Sequence, residues 1–113
     1  MFQRFQPQLA ARFGVYEAVM LNYLWEELQN TIGTPDFHRR GQYWIRCSVQ
    51  GFTAALPYLS EYRVKAVLHR LIECGLLQRG EFNEYPFDRT AWYSFTPYGL
   101  KIMTESEEMN HAE

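Results

Sequence analysis

The 113-residue sequence predicts an α+β domain, mainly α with a small antiparallel β-sheet, and three observations carry that reading. Apolar residues recur at three- and four-residue steps over residues 15–30 and 60–74, the period of helices that bury one face. Residues 42–47 and 90–96 alternate instead, as half-buried strands do. Hydrophobic residues make up 47% of the chain and aromatic residues 17%, enough to enclose one core and too much bulky surface for a disordered chain.

Taken in order, residues 7–13 begin with a proline, which suits the first position of a short helical turn, and Gly14 breaks the pattern after them. In the helix over 15–30, Val15, Ala18, Val19, Leu21, Leu24, Trp25 and Leu28 form the inner stripe. Residues 31–41 hold two glycines and a proline and read as a loop of about ten residues with no regular element. In the strand over 42–47, Tyr43, Ile45 and Cys47 share one face, and Trp44 and Arg46 the other. Ser48 offers an N-cap to a helix of two turns over 49–56, which Pro57 ends by disfavouring the helical conformation at Leu56. Ser60 caps the next helix, Glu61 complements its dipole, and Val64, Val67, Leu68 and Leu71 set its inner face until Gly75 stops it.

Residues 76–82 and 90–96 read as strands joined by the turn-rich link 83–89. A helical turn over 100–103 closes the domain, and residues 104–113 form an acidic tail expected to be mobile. The order helix, strand, helix, turn, helix, strand, hairpin tip, strand is that of a winged helix-turn-helix domain, a three-helix core plus a β-hairpin wing, here a single domain over residues 1–103.

The formal net charge is -2, yet 11 cationic and 9 acidic side chains fall within residues 1–104, a mildly basic balance that neither demands nor forbids nucleic acid. No secretory leader and no apolar run of membrane-spanning length is present, so a cytoplasmic protein is expected. Cys47 and Cys74 stand alone and read as buried free thiols. No phosphate-binding glycine loop occurs, and His38, His69 and His111 lie too far apart in kind of segment to share a metal. Ser48 and Ser60 are explained as caps, so no enzyme, cofactor or metal is expected.

Four stretches carry a resemblance: residues 14–21 (Gly-Val-Tyr-Glu-Ala-Val-Met-Leu), 43–48 (Tyr-Trp-Ile-Arg-Cys-Ser), Leu59-Ser60 opening a helix, and above all 88–93 (Asp-Arg-Thr-Ala-Trp-Tyr). Together they resemble the winged-helix domains of phage and plasmid replication proteins, the replisome-organiser and replication-initiator group of low-GC bacteria. The resemblance implies DNA binding, in replication initiation. In that group further domains that contact other replication proteins usually follow, whereas a domain standing alone fits a small transcription regulator of a mobile element equally well.

The helix over 60–74 is the expected reader, because its outward face is centred on Tyr62, Ala66, His69 and Glu73. Arg63 and Arg70 flank one side of that face and Lys65 the other. In a major groove Arg63 would donate to a guanine edge, Tyr62 would meet a phosphate or a thymine methyl, Ala66 would permit close approach, and Ser60 would stand where helix amides meet a phosphate. The bland alternative is that these cations are a solvated helix face. Arg79 and Arg89 in the wing, and Arg39 and Arg40 beside His38 on the long loop, are secondary candidates for phosphate. Glu81, Glu84 and Asp88 oppose the wing arginines, and Arg89 is expected rather to pair with Asp88 or a nearby acid and fix the hairpin.

Trp25, Trp44 and Trp92 are expected to pack rather than to stack on bases. Tyr16, Tyr23 and Trp44 are candidates for a homodimer surface, since such proteins often read paired half-sites as two-fold dimers. A second class of function stays open: a protein-interaction module on the same scaffold, suggested by the acidic wing, acidic tail and low net charge.

Overall fold

The computed structural model describes residues 7–111, with side chains described as far as Glu107. Residues 1–6 of the expected domain and the last two residues of the acidic tail lie outside the described residues, as does the side chain of His111. Among the described residues there are five α-helices and two small antiparallel sheets, an α+β architecture.

Helix α1 (Pro7–Phe13) ends where Gly14 takes φ 112°, a value open to glycine and strained for other residues. Helix α2 (Val15–Thr31) then runs through the middle of the molecule. Its buried side is wider than the expected stripe: Ala18, Met20, Leu21 and Leu24 are fully enclosed, with Val19 and Leu28 close behind. Val15, expected inside, is 54% exposed beside the exposed Tyr16, and burial along the helix begins only at Glu17.

The segment expected as a structureless loop contains a 3-10 turn (Pro35–Phe37) and a two-stranded hairpin of β1 (His38–Arg39) and β2 (Gln42–Tyr43). Arg40 and Gly41 make its two-residue turn with φ 51° and 81°, the paired positive values of a type I′ hairpin. The strand expected over 42–47 is accordingly split: after Trp44 the chain continues as β3 (Ile45–Cys47) in a different sheet. Trp44 is buried at the join, and its indole N–H donates to the Arg39 carbonyl at 2.9 Å. It therefore cannot line a dimer surface, a role that the exposed Tyr16 and half-buried Tyr23 leave open.

Ser48 Oγ accepts from the Gly51 N–H at 3.0 Å and opens α3 (Val49–Ala55). Ser60 Oγ accepts from the Arg63 N–H at 3.1 Å and opens α4 (Glu61–Glu73). Val64, Val67, Leu68 and Leu71 are buried as their spacing requires, and Gly75 takes φ 78° just past the helix end. Strand β4 (Leu77–Gly80) pairs with β5 (Ala91–Phe95) in the register Leu77 to Phe95 and Gly80 to Trp92, and β5 pairs on its other side with β3. Both hairpin strands are shorter than their alternation suggested, and residues 81–90 form the connection.

The closing helical turn is instead a full helix, α5 (Pro97–His111), reaching well into the acidic tail. Thr96 Oγ1 caps it by accepting from the Gly99 N–H at 2.9 Å. Trp25 Nε1 donates to Glu107 Oε1 at 2.6 Å, and Ile102, Met103 and Ser106 are buried against the core. Amphipathic contact, not local propensity, is what orders this stretch. Cys74 is exposed rather than buried, since it occupies the C-cap of α4, while Cys47 is half-buried; both are free thiols.

Candidate nucleic-acid interface

Helix α4 presents its outward face as its periodicity requires: Tyr62 is 80% exposed, and Arg63, Lys65, Ala66, His69 and Arg70 are exposed around it. The two flanks of that face meet different neighbours. On the side of α2, the Arg63 guanidinium carbon lies 4.6 Å from the centroid of the Tyr16 ring. Arg70 Nη1 lies 3.6 Å from Glu17 Oε1, and Glu17 is buried with its second carboxylate oxygen lacking any hydrogen-bond partner. Ser60 keeps its hydroxyl engaged in the cap, and His69 Nε2 lies 2.8 Å from Glu73 Oε1 one turn on.

On the opposite flank a groove of about 690 Å³ separates α4 from the β4–β5 hairpin and the start of α3. Lys65, His69, Arg79 and Arg89 line it, with Glu61 the one carboxylate among the lining residues. Its floor includes Cys47 and Tyr93. Burial, reinforced by the charge of Glu27, pushes the Cys47 thiol up to about 11, and burial raises the Tyr93 phenol against the opposing pull of Arg79. The floor is thus neutral at physiological pH, and charge is confined to the rim.

The cations of the described chain sort into two groups. Arg46 pairs with Asp88, Arg70 with Glu17, and Arg12 with the Tyr98 hydroxyl at 2.9 Å. Arg39 and Arg46 lie over Trp92, at 5.6 and 5.9 Å from its centroid, Arg40 over Phe82 at 5.5 Å, and Arg63 over Tyr16. Lys65, Arg79, Arg89 and Lys101 have neither an acidic partner nor a ring among the described residues, and the first three share the groove. Arg39 and Arg40 do not join them, being held on the β1–β2 hairpin over the rings of Trp92 and Phe82.

The expected pairing of Arg89 with Asp88 gives way to a different one. Asp88 turns toward β3 and takes Arg46, and its carboxyl is held below the usual range first by the Thr90 backbone N–H, then by the Thr90 side chain and Arg46. Arg89, adjacent in sequence, is left exposed toward the groove. Nothing local in the sequence links positions 46 and 88, so the structural role of Arg46 becomes visible only in the fold. The tryptophans pack: Trp44 and Trp92 are buried around Phe82, at 4.9 and 5.7 Å between centroids, and Trp25 meets Phe95 edge-on at 5.4 Å.

Among the described residues no cluster of three or more His, Cys, Asp or Glu is placed to hold a metal ion, and no helix is long and apolar enough to cross a membrane. No known family model matches the chain, and no curated protein is significantly similar to it.

Proposed function

We propose that this protein binds duplex DNA as a winged helix-turn-helix domain, with α4 in the major groove and the β4–β5 hairpin as the wing beside it. The carrying observation is that Lys65, Arg79 and Arg89, cations without acidic partners among the described residues, line one groove along the exposed flank of α4. A sugar-phosphate strand supplies the negative charge that Glu61, the one carboxylate lining this groove, leaves wanting, and the neutral floor adds no repulsion. Tyr62, Ala66 and Arg63 stand on the leading half of the same helix, the part that reaches base edges when a helix enters a major groove. The resemblance of residues 88–93 to replication initiators points to replication initiation or transcription regulation on a phage or other mobile element.

The test is titration of a mixed duplex pool with the full chain over a salt series. Replacing Lys65 and Arg89 together by Gln should weaken binding about tenfold near 0.1 M salt and flatten the slope of log affinity against log salt by about 2. Unchanged affinity and slope would remove the groove from the interface.

A second reading, a protein-interaction module on the same scaffold, draws on the exposed Tyr16, Tyr58 and Tyr62 gathered with Arg63 around the start of α4, residue types enriched at protein interfaces. Absence of duplex binding at low salt, with the fold intact, would select it.

A further inference from the structure

The hairpin connection ends in Tyr85, Pro86 and Phe87, and its apolar rings point away from the core. Phe87 is 81% exposed and Tyr85 55%, and the two rings stack with centroids 5.4 Å apart and planes 18° from parallel. A pair of aromatic rings held in water forgoes burial that a slack loop would recover by folding back.

This tip is fastened. Asn83 Nδ2 donates to the carbonyls of Asp88 and Thr90 at 2.8 and 2.7 Å, and Asn83 Oδ1 accepts from the indole N–H of the buried Trp92 at 2.7 Å. Asp88 Oδ1 accepts from the Thr90 N–H at 3.0 Å while the other oxygen takes Arg46, and the Asp88 N–H donates to the Tyr85 carbonyl at 3.1 Å.

The acids of the hairpin do not surround this tip evenly. A groove of about 520 Å³ brings Tyr85 and Pro86 together with Arg79 and Arg89. Of the carboxylates on its lining, Asp88 is neutralised by Arg46, which leaves Glu81. On its other side Tyr85 borders a second groove, where Glu84 and Asp36 face Arg39 and Arg46. An exposed ring pair, of which Tyr85 shares a groove with two guanidinium groups that have no acidic partner among the described residues and Phe87 stacks on Tyr85, matches a ligand that carries both flat apolar faces and anions, and a nucleic acid has that chemistry.

We infer that the hairpin tip is a wedge: Phe87, backed by Tyr85, enters the minor groove of a duplex and unstacks a base step while Arg79 and Arg89 hold flanking phosphates. The wedge rests on the duplex-binding reading and adds a kink in the DNA that binding alone does not require.

Duplexes of about 30 base pairs and mixed sequence, carrying donor and acceptor dyes at their two ends, report such a kink by energy transfer. The full chain should raise transfer on binding, as a bend of some 20–90° brings the ends together. Phe87→Ser, at a surface position whose loss leaves the circular dichroism spectrum unchanged, should weaken binding about tenfold, leave the salt slope unaltered and abolish the rise in transfer. The wedge is overturned if wild type binds without any change in transfer, or if Phe87→Ser bends the duplex as wild type does. Those outcomes leave duplex binding standing when the Lys65 and Arg89 variant still shows its flatter salt slope. Absence of duplex binding by wild type sinks both.

Discussion

On the α2 side of helix α4, Arg63 lies over Tyr16 and Arg70 beside the buried Glu17; on the hairpin side, Lys65 shares a groove with Arg79 and Arg89 and with no acid but Glu61. Counted along the sequence, the first flank is the more basic of the two. Its charge is already engaged by the fold, however. If Arg70 left for a phosphate, it would strand a carboxylate that is buried and has one oxygen unsatisfied, a loss that a phosphate contact must offset. A cation's reach toward a ligand is therefore set by what the folded chain has placed against it.

The largest expected effect tests that contrast on binding. Replacing Lys65, Arg79 and Arg89 together by Gln should lower duplex affinity about 100-fold at moderate salt and flatten the salt slope by about 3, whereas Arg63→Gln should cost about fivefold. Fluorescence anisotropy across a salt series measures both, and the contrast between flanks fails if Arg63→Gln proves the more damaging.

Stability should show the reverse order. Arg70→Ala should destabilise the fold by about 2 kcal/mol, because Glu17 loses its counter-ion, while Lys65→Ala should stay within about 0.5 kcal/mol of wild type. Urea unfolding of the two variants measures this, and equal losses would mean that Arg70 is as free as Lys65.

The groove floor gives a smaller signal. With its thiol pushed up to about 11, Cys47 should alkylate at least about tenfold more slowly than the exposed Cys74 at neutral pH, a difference readable by mass spectrometry of singly labelled peptides. Comparable rates would mean that the floor is open to solvent.

The smallest effect concerns the anchor of the hairpin. Because the folded value of Asp88 is depressed, its stabilising contribution is complete above the ordinary value of 3.8 and fades as pH falls through the lower folded value. Exchange of the Thr90 amide proton should therefore show extra acid-induced opening only below about pH 4, and Asp88→Asn should remove that acid dependence. An acid-induced opening that persists in the variant would take the anchor away from Asp88.

The caps and the inner face of α4 were legible because each depends on residues within one or two turns: Ser48 and Ser60 meet amides three residues on, and Val64, Val67, Leu68 and Leu71 fall on one side by spacing alone. The β1–β2 hairpin was not, since its turn places Arg40, a residue with no preference for positive φ, in the left-handed region. Its strands are two residues long, below the length at which alternation can be read. The outward face of α4 could be drawn from the sequence, yet the division of its cations into engaged and unengaged depends on Tyr16 and Glu17, more than forty positions away in the chain. The exchange of Arg89 for Arg46 as the partner of Asp88 has the same origin, a contact between a strand and a hairpin connection distant in sequence.

The bond from Trp25 to Glu107 has a practical consequence for anyone shortening the chain. Trimming the acidic end after Met103, where composition alone would draw the boundary, removes the acceptor of that indole together with Ser106, and uncovers the side of α2 on which Trp25 meets Phe95. Part of the C-terminal acidity is thus a fastening of the central helix, and a truncated version would misreport the domain it was meant to isolate.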